Sequence, residues 1–168
     1  DFGTGDFTIE FWMKTTDNDV GLLSLSSGAM PTNTWKLFIG VSGSANQIYW
    51  EPNGTTNIQG SATVNDDAWN HIAIVRDSGT VTIYTGGTAA GSGTSSGTVG
   101  LTTQQLNVGL DYEHYIVHGS TARNYTGYMD EIRISDSARY TGTFTPSTTE
   151  FTADSNTLLL IHSNWDGG

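Results

Sequence analysis

The stretch GYMDEIRIS, residues 127–135, places two adjacent carboxylates, Asp130 and Glu131, in the middle of a strand-like run. Carboxylates in such a position are costly to bury unless they are paired, hydrogen-bonded or bound to a cation. Ile132 and Ile134 keep the every-second-residue beat of a strand with one buried face, whereas Met129 falls out of phase with them. A β-bulge at Asp130 and Glu131 would account for the broken phase. Pairing with Arg133 or Arg76, or acceptance of backbone N–H bonds, would satisfy the carboxylate without any ion.

Other chemistry is sparse. Glycoside hydrolysis needs two carboxyl groups on the same face, flanking the scissile bond. No E-x-D-x-x-E run is present, Glu10 stands alone on its strand, and adjacent Asp130 and Glu131 are expected to diverge to opposite faces. His71, His114, His118 and His162 form no H-E-x-x-H pattern, and no G-x-S-x-G elbow joins a strand to a helix. His114 and His118 have helical spacing, but the intervening Tyr115, Ile116 and Val117 favour extended chain. No catalytic residues are assigned.

Ligand contacts are better served. The loop LDYEHYIVHGSTARNY, residues 110–125, gathers three tyrosines, two histidines, Arg123 and two acids, and is too long for a hairpin turn. Tyr112, His114, Tyr115 and Arg123 are its candidate binding residues; a self-packed loop covering a sheet edge is the competing account. Trp35, Tyr49 and Trp50 are further possible platforms for a sugar ring. Trp35 is in phase with Leu37 and Ile39, and Trp50 with Ile48, which favours the core for both tryptophans.

Short runs rich in Thr, Ile, Val and aromatics must position these groups, and turn signals separate them along the chain. No segment of useful length carries a helical stripe, although SDSARY at 135–140 has room for one helical turn. The class is all-β. Phe7, Ile9, Phe11 and Met13 share one face of the first strand, and Asp6, Thr8, Glu10 and Trp12 the other, with Trp12 the exception on that polar face. DSGT in RDSGTVTIY predicts a hairpin. The glycine-rich stretch 86–100 resembles a linker, but neither half of the chain offers a complete core. It is expected to be a long loop with a weak edge strand inside one domain spanning 1–168. The opening DFGTGDF, without methionine, reads as a domain cut from a longer protein.

Six Lys and Arg against 17 Asp and Glu give a formal net charge of -11, which works against nucleic acid and anionic membrane as partners. There is no cysteine, hence no disulfide or thiolate metal site. The longest apolar run, TLLLI, is far short of the roughly 20 residues of a membrane span.

Three stretches in order, GDFTIEFWMKT, WNHIAIVRDSGTVTIYTGG and YTGYMDEIRISDSARYTGTFTP followed by NTLLLIHS, resemble the laminin G-like branch of the concanavalin A-like jelly rolls. The resemblance implies two antiparallel sheets packed as a jelly-roll sandwich. It also implies a structural calcium: MDEIR is similar to the family stretch whose Asp supplies oxygen to that ion, making Asp130 the leading ligand and Asp6 a second. Calcium takes six to eight oxygens, and glycine-turn carbonyls or a bulge carbonyl could complete the set. The stretch from Ile134 to Gly168 is similar to laminin G-like domains in structural proteins of marine bacterial viruses. The implied function is a non-catalytic adhesion or carbohydrate-binding module on a virion or cell surface, outside the cell. Its partners would be a glycan and neighbouring domains of a larger protein. The alternatives are a purely structural or decorative domain and, more remotely, a glycoside-active enzyme.

Overall fold

The computed structural model describes residues 2–26, 34–40, 46–54, 58–100, 104–110 and 123–164. Its strands are β1 (Phe7–Lys14), β2 (Val20–Leu25), β3 (Trp35–Ile39), β4 (Ile48–Pro52), β5 (Ile58–Gln59) and β6 (Asn70–Asp77). The others are β7 (Thr80–Thr85), β8 (Thr88–Thr94), β9 (Leu106–Val108), β10 (Tyr128–Ser135) and β11 (Thr157–Ile161). They form a six-stranded antiparallel sheet, ordered β11-β10-β1-β6-β7-β8, and a five-stranded one, ordered β5-β4-β3-β2-β9.

Alternation along β1 sets the packing. Phe7, Ile9, Phe11 and Met13 point into the space between the sheets, where they meet Leu23, Leu37, Ile39 and Ile48 from the opposite sheet. Trp35 and Trp50 are buried there, with ring centroids 5.4 Å apart and Phe7 against Trp50, so both are core residues as their phase predicts. The DSGT hairpin is present. Ser78 and Gly79 both take positive φ, 51° and 81°, which is the two-residue turn whose twist matches its flanking strands.

The glycine-rich stretch contains β8, the edge strand of the larger sheet. Its small residues allow that edge to close on the other sheet: a Cβ at Gly91 would overlap the Gln59 carbonyl of β5.

One feature departs from the sequence pattern. The outward face of β1 is also buried, at Thr8 and Glu10, because residues 136–151 cross the six-stranded sheet on its outer side. Ala138, Tyr140 and Phe144 pack there on Ala73, Val75 and Tyr84. No helical turn forms at 135–140: Ser135 ends β10, Thr8 Oγ1 donates to the Ser137 carbonyl at 2.7 Å, and the Arg139 N–H donates back to Thr8 Oγ1 at 2.9 Å. Further along, the Phe144 N–H donates to the Gly87 carbonyl at 3.0 Å. Gly87 has φ 79°, and a Cβ there would overlap the Phe144 carbonyl, so only glycine lets this strap seat on the β7–β8 turn.

Candidate functional site

The interrupted beat at Asp130 and Glu131 is a bulge. Glu10 faces Arg133 and Trp12 faces Asp130, so β10 uses three steps where β1 uses two. Glu131 takes the extra position with φ 53°, in the left-handed region that non-glycine residues rarely visit. The bulge corrects the expectation that the two acids diverge: both line one cleft on the outer side of the six-stranded sheet.

That cleft lies where β1 ends and β6 and β10 begin, since Met13 faces Asn70 and Lys14 faces Tyr128. It consists of two adjoining hollows of about 400 and 720 Å³ that share Trp69, Asp130 and Asn164. Trp12 closes one, beside the 147–150 segment with Glu150, and Tyr128 lies in the other. Trp69, just before β6, is 47% exposed and Tyr128 62%. Their ring centroids are 6.4 Å apart with planes 48° apart, an open pair of aromatic faces.

Beneath the cleft runs a buried polar network. Glu10 Oε1 accepts from Arg133 Nε and Nη2 at 2.9 and 2.7 Å, and its Oε2 accepts the Tyr140 hydroxyl at 2.8 Å. His71 Nε2 lies 3.3 Å from the same Oε2, while His71 Nδ1 is buried without a hydrogen-bond partner, which places the ring proton on Nε2. Burial is the largest single influence on Glu10 and pushes its carboxyl up. His71, the Arg133 charge and Tyr140 together outweigh burial and hold the carboxyl below its ordinary value. Burial and the Glu10 charge push the Tyr140 hydroxyl well above the ordinary tyrosine range. The His71 ring meets Trp12 edge-on at 5.3 Å, so the network fixes one wall of the cleft.

Both Glu131 oxygens are committed. Oε2 accepts the Phe151 N–H, and Oε1 meets His162 Nδ1 at 2.6 Å. This hydrogen bond is the main reason the exposed His162 imidazole is held above its ordinary pKa, with the charges of Glu150 and Asp130 adding to it. Asp130 Oδ1 accepts the N–H of Glu131 at 2.8 Å and of Ser163 at 2.9 Å, which ties the 162–164 segment to the bulge.

The residues expected to share calcium do not come together. Asp6 lies six positions before Trp12, the partner of Asp130, which is roughly 20 Å along a strand. Its Oδ1 accepts the Ser78 N–H at 2.8 Å. Among the described residues no group of three or more His, Asp or Glu side chains could hold a metal. The Asp6 and Asp130 pair therefore does not fit one calcium. Asp130→Ala, which strands two N–H groups, is expected to cost about 1–3 kcal/mol, and Asp130→Asn, which keeps an acceptor oxygen, much less. Thermal melting with and without chelator checks this: equal losses are expected in both, and a loss confined to calcium-loaded protein would return Asp130 to the ion.

Of the candidate ligand residues in the 110–125 loop, Tyr112, His114 and Tyr115 lie outside the described residues. Arg123 is not in the cleft. Its Nε pairs with Asp19 Oδ1 at 3.0 Å, and its carbonyl accepts the Gly21 N–H in β2 of the other sheet. Sequence reasoning missed Trp69 and Tyr128. Trp12 was the available signal, an aromatic on the polar face of β1, and Trp69 is in register with His71, Ala73 and Val75 on the same outer face of β6.

Two antiparallel sheets enclosing one core, with an aromatic-lined cleft at the end of one of them, define a jelly-roll sandwich of the lectin-like kind. The chain belongs to the Laminin_G_3 family, described as the concanavalin A-like lectin/glucanases superfamily, which matches residues 1–165. No curated protein sequence matches the chain. Among solved structures, it is similar to a candidate carbohydrate-binding protein from Bacteroides ovatus, with TM-score 0.73 and 16% identity over 95% of this chain and 45% of that one. It thus spans less than half of that protein. It is also similar to the CBM40 of Ruminococcus gnavus IT-sialidase bound to alpha2,3 sialyllactose, with TM-score 0.64 and 16% identity over 83% of this chain and 80% of the other. A third is domain 4 of AbnA, a GH43 extracellular arabinanase from Geobacillus stearothermophilus, in complex with arabinotriose. There the TM-score is 0.59 with 17% identity over 80% of this chain and 62% of that one. At such identities the likeness concerns the fold.

Proposed function

We propose that this chain is a non-catalytic carbohydrate-binding module that holds its glycan in the cleft, against the exposed faces of Trp69 and Tyr128. One observation carries the reading: two large, exposed aromatic faces open onto a hollow edged by carboxylates, the Asn164 amide and the 147–149 hydroxyls. A sugar ring offers an apolar C–H face to stack on an aromatic ring and hydroxyls for polar rim groups. The saccharide complexes among the similar structures support the ligand class. The non-catalytic assignment is supported by Glu131, whose oxygens are both held by Phe151 and His162. Display on a virion or cell surface, as part of a larger protein, rests on the laminin G-like resemblance of the C-terminal stretch. Calcium enters only through Asp130, and the chelation experiment decides it.

The test is a glycan array on the whole chain, followed by titration of the best ligand. Trp69→Ala is expected to weaken binding by about 2 kcal/mol, roughly thirtyfold in Kd, with little change in melting because the ring is half exposed. Tyr112→Ala with Tyr115→Ala is the control for the other candidate surface. Loss of binding in that double variant, with Trp69→Ala behaving as the parent, would move the glycan to the 110–125 loop.

A further inference from the structure

We propose that the cleft selects saccharides bearing a positive charge, amino sugars with a free amine, over neutral and acidic ones. The inference rests on the glycan-binding reading and adds the class of sugar. Its starting point is the contrast between the aromatic pair, which any pyranose could use, and the charges around it. Among the described residues, the lining contains Asp130, Glu131 and Glu150 but no lysine or arginine.

These three acids are not equivalent. Glu131 is balanced by His162. Asp130 accepts two backbone N–H groups, which satisfy one oxygen but leave its charge in place. Glu150 is exposed and makes no hydrogen bond or ion pair among the described residues. Three carboxylates thus share one imidazole, and a net excess of about two negative charges borders the aromatic faces. The nearby amine of Lys14, whose backbone faces Tyr128, is paired with Asp67 at 3.6 Å. It adds no net positive charge at the rim.

An acidic sugar would bring its carboxylate against like charge with no lysine or arginine in the described lining to receive it and with the His162 imidazole already held by Glu131, and like-charge juxtaposition is the more selective half of electrostatic recognition. A sugar ammonium meets the opposite situation. It can lie over the face of Trp69 or Tyr128, where the ring quadrupole attracts a cation, while its N–H groups reach a carboxylate. The rings supply affinity for the sugar body, and the acids supply the choice among sugars.

Calorimetric titration of the whole chain with three β-1,4-linked tetrasaccharides tests this, using glucosamine, N-acetylglucosamine and glucuronic acid at about pH 6, where a sugar amine is charged. The glucosamine oligomer is expected to bind about tenfold tighter than its N-acetylated counterpart, and the glucuronate oligomer not at all. Added salt and Glu150→Gln should each shrink the ratio between the first two. Equal affinity for the charged and neutral oligomers overturns the inference and leaves glycan binding standing. Glucosamine binding that is indifferent to Trp69→Ala overturns it as well, because it would be adhesion of a polycation to an acidic surface. Silence toward all three from folded protein overturns it as well, and the glycan array then decides separately whether the reading on which it rests stands.

Discussion

Glu10→Ala is expected to destabilise the sandwich by about 3–5 kcal/mol, the range for removing one partner of a buried ion pair. The cost comes mainly from what remains. Arg133, which sends two N–H groups to one Glu10 oxygen and lies over the Phe151 ring at 4.1 Å, would keep a buried charge with no counterion. Glu10→Gln keeps the shape but not the charge and should lose nearly as much. Replacing Glu10 and Arg133 together by methionine should recover most of the loss, since a well-packed apolar pair often matches a buried ion pair. Urea denaturation of the parent, Glu10→Met, Arg133→Met and the double methionine variant completes the cycle. Full additivity of the two single losses would show that the pair is not coupled.

The same residue sets an acid limit. Its folded pKa is held below the ordinary value of 4.5, so its contribution is fully present above that value and is lost as pH falls through the folded one. The stability gap between parent and Glu10→Ala should therefore be constant near neutrality and narrow on acidification. A gap that widens in acid would contradict the sign.

Arg76→Ala is the second large effect, expected at about 3 kcal/mol or more. This arginine is fully buried, yet among the described residues no carboxylate is in contact with it. It donates Nε to the Gly5 carbonyl at 2.7 Å, Nη1 to Gly97 at 3.0 Å and Nη2 to Gly3 at 2.9 Å, with its guanidinium 4.8 Å from the Phe7 ring centre. Burial lowers its pKa, the Asp6 charge opposes that, and a guanidinium so far above neutrality stays protonated. One planar fork thus binds the first residues of the chain to the 95–97 turn. Arg76→Lys keeps the charge but offers a single ammonium to three separated carbonyls, so it should lose about 2 kcal/mol. Denaturation measurements that find the lysine variant as stable as the parent would sink this account.

The fold was legible where one rule governs. The period-2 pattern of β1, the SG turn and the phases of Trp35 and Trp50 all follow from which face meets the core. Even the bulge was readable, because Met129 and Ile132 cannot share a pleat without an extra residue. The strap over the outer face was not. Ala138, Tyr140 and Phe144 follow no helical or strand period, since an irregular segment buries each side chain wherever the sheet offers space. The candidate site was lost for the same reason. Whether Trp69 is core or platform depends on how far that segment reaches, and periodicity carries no information about reach.

The position of β1 has a consequence for how the molecule is made. It is made before the other strands of this domain but belongs in the middle of its sheet, between β6 and β10, and its Glu10 waits for an arginine 123 residues further on. Contacts of such high sequence separation slow folding, because the chain must close long loops before native pairing stabilises anything. Until β10 is synthesised, β1 presents an open, apolar sheet edge to the cell, the kind of surface from which aggregation starts. Yield of this domain on expression should therefore depend on chaperone supply while its own last third is being synthesised more than on the stability of the finished sandwich.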